Sequence, residues 1–156
     1  MLSPTFVPLR TVYRLEPDFT RDLAENLNLL KIGRFDESEV EAMVGTRKAD
    51  IVAKGDDGVV VIECQFDRAD WDHWGRLEAY ARLRDAATAV LVAEDFEELM
   101  VATCELRNTD SKISWYLIKA SLTANGEVFF QTVEGPKIDI QTDRRASCRE
   151  RVCLYV

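Results

Sequence analysis

The amino-acid sequence predicts an α/β domain with a central mixed β-sheet flanked by helices. Residues 17–33 have helical periodicity, because their apolar side chains recur every three or four residues: Phe19, Leu23, Leu27 and Leu30. Two short apolar runs, GVVVIECQF (58–66) and TAVLVA (88–93), have the length and composition of buried strands. Helical patterns alternate with these strands along the chain, which indicates the α/β class.

The first half of the chain predicts one helix and three or four strands. Residues 9–15 suggest one short strand, and the helix of residues 17–33 follows, with Gly33 suited to its end. The segment SEVEAMVGTRKADIVAKG (38–55) predicts two strands that separate near Gly45. GVVVIECQF, entered from a Gly-Asp-Asp-Gly turn, is the next strand and the clearest one in the sequence.

The second half predicts two helices and three strands. A helix is expected over residues 70–84, with Asp70 as its N-cap, and TAVLVA then forms a central strand. Residues 94–108 predict a helix with acids in its first turn. Residues 113–122 and 126–133 predict two strands joined through an Asn-Gly pair, a strong hairpin signal. The predicted order is helix, three strands, helix, strand, helix, two strands.

Length and composition indicate one ordinary globular domain. The chain has 156 residues, of which 47% are hydrophobic and 31% are charged. Its net charge of −8 argues against a protein that coats DNA non-specifically. A local basic rim remains compatible with that charge, because cationic residues lie within or near the segment 48–65: Arg47, Lys48, Lys54, Arg76, Arg82 and Arg84.

Localisation is predicted from what the sequence lacks. The N-terminus has no apolar signal-peptide stretch, and no segment approaches the roughly 20 apolar residues of a membrane span. The four cysteines show no CxxC pair, which favours reduced thiols. We therefore expect a cytoplasmic protein with no membrane partner.

The last thirteen residues, RRASCRERVCLYV (144–156), differ from the rest of the chain in texture. The string RASCRERV resembles one translated frame of a common sequencing adapter, so we interpret 144–156 as a non-native tail. The alternative is a disordered basic tail. Residues 1–143 are then the single domain, and the natural protein is expected to continue past Asp143.

Two carboxylates are predicted to meet on one hairpin. If Asp56 and Asp57 form the centre of the turn, paired residue numbers sum to 113, and Asp50 lies directly opposite Glu63. Side chains alternate along a strand, so Gln65 shares the face of Glu63.

Like charges that face each other destabilise a sheet, and a cation between them removes that penalty. Magnesium prefers carboxylate oxygens with waters completing its shell, and Gln65 would hydrogen-bond such a water. The alternative is a solvated acidic face. Against it, Glu63 ends an unbroken apolar strand, where an unpaired carboxylate is costly.

These residues also carry a resemblance. An Asp on one strand and a Glu-x-Gln at the end of the next, between two helices, resemble the PD-(D/E)xK nuclease superfamily. VIECQFDRADWDHWGRLEAYA (61–81) is similar to a bacterial family of uncharacterised nuclease-like proteins with Glu-Asn-Gln, Asp-His-Asp-His-Leu-Gly and Leu-x-x-Tyr-Ala motifs. FTRDLAENLNLL (19–30) and VGTRKADIVA (44–53) fit that family's earlier blocks, so the resemblance covers about residues 9–135.

The resemblance implies a restriction-endonuclease-like core with the order α-β-β-β-α-β. It implies hydrolysis of phosphodiester bonds in nucleic acid, with DNA favoured, by a Mg²⁺- or Mn²⁺-dependent endonuclease of a DNA-defence or repair system. Asp50 and Glu63 would be metal ligands, with the backbone carbonyl of Cys64 as a third. The catalytic set would be Asp50, Glu63 and Gln65.

One position departs from the superfamily. Gln65 stands where a lysine is usual, and an amide can orient water but cannot act as an acid or base near neutral pH. Two accessory residues are candidates. Glu25 resembles a helix-borne acid near the metal, although on the helical wheel it lies opposite the apolar face. His73, the single histidine, would meet a substrate phosphate or orient an acid, or it has a structural role.

The leading hypothesis is therefore a metal-dependent nuclease domain. The alternative that the missing lysine and the acidic charge favour is a catalytically inactive, nuclease-derived module that binds nucleic acid or protein. A third hypothesis is an interaction domain whose acidic face is merely solvated.

Overall fold

The computed structural model describes residues 5–137. The predicted tail, 144–156, and the end of the predicted domain at residue 143 lie outside the described residues. Among the described residues, no helix has both the length and the apolar character that crossing a membrane requires.

Seven strands and three α-helices make up the described part of the chain. In chain order they are β1 (Phe6–Val7), α1 (Glu16–Ala24), β2 (Phe35–Val44), β3 (Arg47–Gly55), β4 (Gly58–Cys64), α2 (Trp71–Leu83), β5 (Thr88–Ala93), α3 (Glu98–Asp110), β6 (Ser114–Thr123) and β7 (Val128–Glu134). The order from α1 onward is the one that the sequence predicts.

All seven strands form one mixed sheet. Along the sheet the order is β1-β6-β5-β4-β3-β2, and β7 also pairs with β6. The strands β4, β5 and β6 run parallel to one another, while β2, β3 and β4 form an antiparallel meander. The prediction of a mixed sheet flanked by helices is confirmed.

Each face of the sheet carries its own hydrophobic core. On one face, α1 packs its Phe19 and Leu23 against the strands. On the other face, α2 and α3 pack, with Trp74 tilted against Trp115 at 5.5 Å between ring centroids. Because β4 and β5 lie between the two cores, their side chains are buried on both faces, as their continuous apolar runs require.

Two local predictions were wrong. The predicted strand at residues 9–15 is absent: the short strand is Phe6–Val7, and Leu9–Thr11 forms a 3-10 turn whose first amide donates to the Glu94 carboxylate at 2.8 Å. The first helix ends at Ala24 and not near Gly33.

Leu27 and Leu30 fitted the helical period because they are buried from a 3-10 turn, Leu27–Leu30. A 3-10 turn brings residues three apart onto the same side, so it satisfies the same apolar pattern as an α-helix over so short a segment. The side-chain amide of Asn26 donates to the Asp22 carbonyl at 2.8 Å, which caps the last turn of α1.

Both predicted hairpins are confirmed. In the β3–β4 hairpin the pairs run from Gly55–Gly58 to Ile51–Ile62, all in the predicted register. Gly58 has φ +136°, a conformation that favours glycine and lets the chain leave the turn directly into β4. The second hairpin joins β6 to β7 through a turn in which Gly126 has φ +90°.

Truncation of a leucine should cost stability only where the side chain is buried in a core. Leu91 in β5 is 0% exposed, whereas Leu99 in α3 is 70% exposed. We expect Leu91→Ala to lower the free energy of unfolding by about 2–5 kcal/mol through lost burial and a residual cavity. Urea unfolding of the full chain measures it.

The matched control is Leu99→Ala, which should change the free energy of unfolding by less than about 0.5 kcal/mol. Equal losses in the two variants would contradict the position of β5 at the centre of the sheet.

Candidate metal centre

The two predicted carboxylates meet where the β3–β4 ladder ends. The last regular pair is Ile51–Ile62, and the next positions along the two strands are Asp50 and Glu63. There the side-chain carboxylates accept hydrogen bonds from backbone amides. The Asp50 amide donates to Glu63 Oε2 at 2.8 Å, and the Cys64 amide donates to Asp50 Oδ2 at 2.8 Å. The two carboxylates are therefore held by reciprocal bonds across the strand pair.

Each carboxylate keeps a second oxygen. Within residues 5–137, no hydrogen bond uses Asp50 Oδ1 or Glu63 Oε1, and neither residue forms a salt bridge. Glu63 is 1% exposed, and Asp50 is half-buried. Two carboxylates with free oxygens are thus brought together with little access to water.

The backbone changes direction at Asp50. Ala49 packs in the core under α2 and α3, whereas Ile51, two residues on, packs under α1. A regular strand would place both on the same face, so the pleat reverses at Asp50. Glu41, in the facing position of β2, has φ +51°, which is uncommon outside glycine. This reversal places Asp50 between the two helical layers.

A cavity of about 140 Å³ opens beside Asp50. It lies between the layers, because its wall combines residues from α1, from the neighbouring strands and from α2: Glu16, Pro17, Thr20, Arg21, Val40, Glu41, Asp50, Cys64, His73 and Arg76. Glu63 is not on this wall and reaches the site through Asp50.

Burial raises the pKa of both carboxyl groups. For Asp50, desolvation is the main cause, and the charge of Glu16 adds to it, while the Cys64 amide, His73 and Arg76 oppose it. For Glu63, desolvation and then the charge of Asp50 raise the pKa. Burial also raises the pKa of the Cys64 thiol well above its usual range, so this thiol stays neutral. Loss of contact with water is therefore the main cost of ionising any of these three groups.

Gln65 and His73 are linked by one aspartate. The Gln65 side chain donates to Asp70 Oδ2 at 3.3 Å, and its Oε1 accepts from the Asp70 amide at 2.8 Å. The other oxygen of Asp70 accepts from the His73 amide at 2.8 Å and lies 2.8 Å from His73 Nδ1. The predicted N-cap role of Asp70 is confirmed, and the structure adds two partners to it.

Among the predicted site residues, the structure brings together Asp50, Glu63, Cys64 and His73, and Gln65 is linked to His73 through Asp70. It does not bring Glu25 to them: Glu25 is exposed at the C-terminal end of α1. Its accessory role stays a prediction.

Sequence reasoning missed Glu16, an acid at the opposite end of the same helix. Glu16 lines the cavity and accepts from the Phe66 amide at 2.8 Å. The available signal was its position directly before Pro17, in the first helical turn, but acids are common there as favourable partners of the helix dipole.

The donor set fits a hard divalent ion. Among residues 5–137 no group of three or more His, Cys, Asp or Glu side chains is arranged to hold a metal ion. Two carboxylates with free oxygens, together with the Cys64 carbonyl, suit magnesium, since this ion keeps several waters and uses few protein ligands. Magnesium is a hard ion that takes oxygen ligands, so the Cys64 carbonyl suits it better than the Cys64 thiol does.

No protein-family model matches the chain, and no curated protein matches it. Solved structures do. One is a repair endonuclease from Pyrococcus abyssi, 20% identical, with a TM-score of 0.50 over 56% of this chain and 41% of that chain. Another is an EndoMS–dsDNA complex, 20% identical, with a TM-score of 0.51 over 65% of this chain and 43% of that one. The chain has a restriction-endonuclease-like fold.

The match concerns the fold of a part of those proteins. The restriction-endonuclease-like chain spans less than half the length of the repair endonuclease and of the EndoMS chain. SfsA from Pyrococcus furiosus, in complex with Ca²⁺, also matches, at 14% identity and a TM-score of 0.44 over 78% of this chain and 63% of that chain. The sequence-based expectation of this fold is confirmed.

The raised pKa values predict how metal-free stability depends on pH. A carboxyl group with a raised pKa binds its proton more tightly in the folded than in the unfolded state, so stability falls as pH rises above about 4. We expect Glu63→Gln to raise the free energy of unfolding at pH 8 in EDTA by more than about 1 kcal/mol, because one pKa unit corresponds to about 1.4 kcal/mol. At pH 4 the gain should vanish.

Denaturant unfolding at pH 4 and pH 8 measures this difference. The control is Glu39→Gln, an exposed acid of β2, whose effect should be the same at both pH values. A Glu63→Gln variant that is less stable than the wild type at pH 8 would contradict the assigned charge burial.

Proposed function

We propose that the chain is a nuclease domain that hydrolyses phosphodiester bonds in DNA with the help of Mg²⁺ or Mn²⁺. The observation that carries the proposal is the Asp50–Glu63 pair: two desolvated carboxylates, each with one oxygen on a backbone amide and one oxygen free. Burying two such groups side by side is costly unless a cation joins them. A divalent ion is the favoured partner, since one ion neutralises both charges.

The ligands of this ion would be Asp50, Glu63 and the backbone carbonyl of Cys64, with waters completing its shell. When bound, the ion would supply Lewis-acid polarisation of a phosphate oxygen and activation of water. Hydrogen bonds from backbone amides at the strand ends fix both carboxylates before the ion binds. The two carboxylate side chains therefore lose little conformational entropy when the ion binds.

The cavity also offers groups for the nucleic acid itself. Arg76 of α2 lines it together with Asp50, and the positive charge of this guanidinium lowers the pKa of both Asp50 and Glu63. Arginine recognises phosphate oxygens through paired N–H groups. We assign Arg76 to the scissile phosphate. This cation makes a local phosphate site compatible with an acidic chain of net charge −8.

DNA as substrate class is supported by the fold. The protein of similar fold named above is described as a repair endonuclease, and EndoMS is seen in complex with double-stranded DNA. The proposal is also supported by the cavity beside Asp50, the carboxylate that Glu63 contacts through the Asp50 amide. A role in DNA repair or defence follows as part of the proposal, inside the cytoplasm.

A second function is favoured by one observation. Gln65 occupies the usual lysine position, and both polar atoms of its side chain are engaged with Asp70. A site with no proton acceptor would bind nucleic acid without cutting it. Saturable DNA binding without cleavage, in either metal, identifies that module.

Calorimetric titration of Mg²⁺ and Mn²⁺ into the full chain tests the proposal. We expect the wild type to bind one divalent ion and to gain thermal stability from it, about 2.7 kcal/mol at a hundredfold excess over the dissociation constant. Asp50→Asn and Glu63→Gln should lose both effects. With oligonucleotide substrates, these variants should cleave more than about a hundredfold slower than the wild type. Mutation of a residue that merely supports a metal ligand already lowers activity about 10–100-fold, and loss of the ligand itself should cost more.

The matched control is again Glu39→Gln, which should bind the ion and cleave as the wild type does. A folded wild type that binds neither ion, alone or with an oligonucleotide present, contradicts the metal centre. Metal binding with DNA binding but no cleavage would replace the nuclease by the non-cutting module.

A second test concerns Arg76. Neutralising one phosphate contact lowers the slope of log affinity against log salt concentration by about 0.7–0.9. We therefore expect Arg76→Gln to weaken oligonucleotide binding and to reduce this slope by about one contact, as measured by fluorescence anisotropy at several salt concentrations. Arg82→Gln is the control, because Arg82 lies on the same helix and pairs with Glu78 at 3.6 Å. Equal slopes for the wild type and Arg76→Gln would remove Arg76 from the site.

A further inference from the structure

The usual position of the catalytic lysine is taken here by a side chain with no free polar atom. Gln65 is 5% exposed, its Nε2 donates to Asp70 Oδ2 at 3.3 Å, and its Oε1 accepts from the Asp70 amide at 2.8 Å. An amide is also neither an acid nor a base near neutral pH. Gln65 therefore holds the start of α2 through hydrogen bonds, and another group must accept the proton of the attacking water.

Asp70, which Gln65 holds, in turn orients the ring of His73. Asp70 Oδ1 lies 2.8 Å from His73 Nδ1, and an ionised carboxylate can only accept a hydrogen bond. His73 Nδ1 is consequently the protonated nitrogen, and in the neutral ring Nε2 carries the lone pair. The same arrangement, a carboxylate that fixes the tautomer of a histidine base, is used in the catalytic triads of hydrolases.

His73 lies at the cavity beside Asp50. His73 lines this cavity together with Asp50 and Arg76, and its side chain is 15% exposed. Among the described residues no hydrogen bond engages Nε2. An Asp N-cap needs only the His73 amide, so the contact from Asp70 to the ring is additional to helix capping.

We propose that His73 Nε2 accepts the proton of the attacking water, and that Asp70 and Gln65 are positioning residues that hold its ring toward the cavity. The inference rests on the proposed nuclease function. In the step, the water oxygen forms the new bond to phosphorus while the bond from phosphorus to the leaving oxygen breaks. One water proton passes to His73 Nε2, and the leaving oxygen takes a proton from solvent. His73 then releases its proton to solvent.

The chain offers an unusually clean probe, because His73 is its single histidine. Nitrogen-15 NMR of the full chain, with any affinity tag removed, reports which ring nitrogen is protonated. We expect the Nδ1–H tautomer in the wild type. Asp70→Asn should lose this preference, although asparagine caps a helix as well as aspartate does. This readout does not depend on cleavage or on metal. An Nε2–H tautomer in the wild type overturns the proposal.

Kinetics supply the second readout. We expect His73→Ala to lower kcat by about 10²–10⁴-fold, the usual contribution of a general base, while Mg²⁺ affinity stays within about twofold. Added imidazole should restore part of the rate, which a merely structural histidine would not allow. Gln65→Ala should lower kcat about 10–100-fold without imidazole rescue, as expected of a supporting residue. Asp72→Ala, an exposed neighbour in the same turn, is the control and should keep the wild-type rate.

The outcomes separate the two proposals. Cleavage that is lost in Glu63→Gln but kept in His73→Ala overturns the role of His73 and leaves the nuclease intact. A wild type that cuts no oligonucleotide in Mg²⁺ or Mn²⁺ overturns both. Loss of kcat in His73→Ala with imidazole rescue, together with the Nδ1–H tautomer, supports the assignment.

Discussion

The site depends on the reciprocal hydrogen bonds at the open end of the β3–β4 hairpin. Beyond Ile51–Ile62 the carboxylates of Asp50 and Glu63 accept hydrogen bonds from backbone amides. In a regular ladder, backbone carbonyls would accept these bonds. The strands stay together while two acids are drawn into a place where water is scarce. Desolvation raises both pKa values, and the proposed divalent ion would offset the cost of ionising the two groups.

The second determinant is the start of α2. A helix N-terminus has unpaired amides, and Asp70 satisfies the one of His73. Because Asp70 is itself clamped by Gln65 at the end of β4, the strand that carries Glu63 also sets the position of the helix that carries His73 and Arg76. Strand end and helix start thus form one hydrogen-bonded unit, and the cavity lies against it.

The sequence predicted the parts of this site that follow from local rules. The turn Gly55–Gly58 sets the hairpin register, and the register places Asp50 level with Glu63. The N-cap at Asp70 followed from residue type and helical periodicity. Local rules were insufficient for α1: the pattern of Leu27 and Leu30 fits both an α-helix and a 3-10 turn, so the predicted helix extends past its observed end at Ala24. No local pattern distinguishes Glu16, the acid of α1 that lines the cavity.

By itself the sequence determined the α/β class, the element order from α1 onward, both hairpins and the pairing of the two carboxylates, because short-range periodicity and turn chemistry specify these. Only the tertiary structure decided which acid of α1 approaches Asp50, that the pleat reverses at Asp50, and that Gln65 is bound to Asp70. Those facts depend on how two helical layers close over opposite faces of the sheet. Packing of this kind joins residues far apart in the chain, such as Glu16 and the Phe66 amide, and no local pattern encodes it.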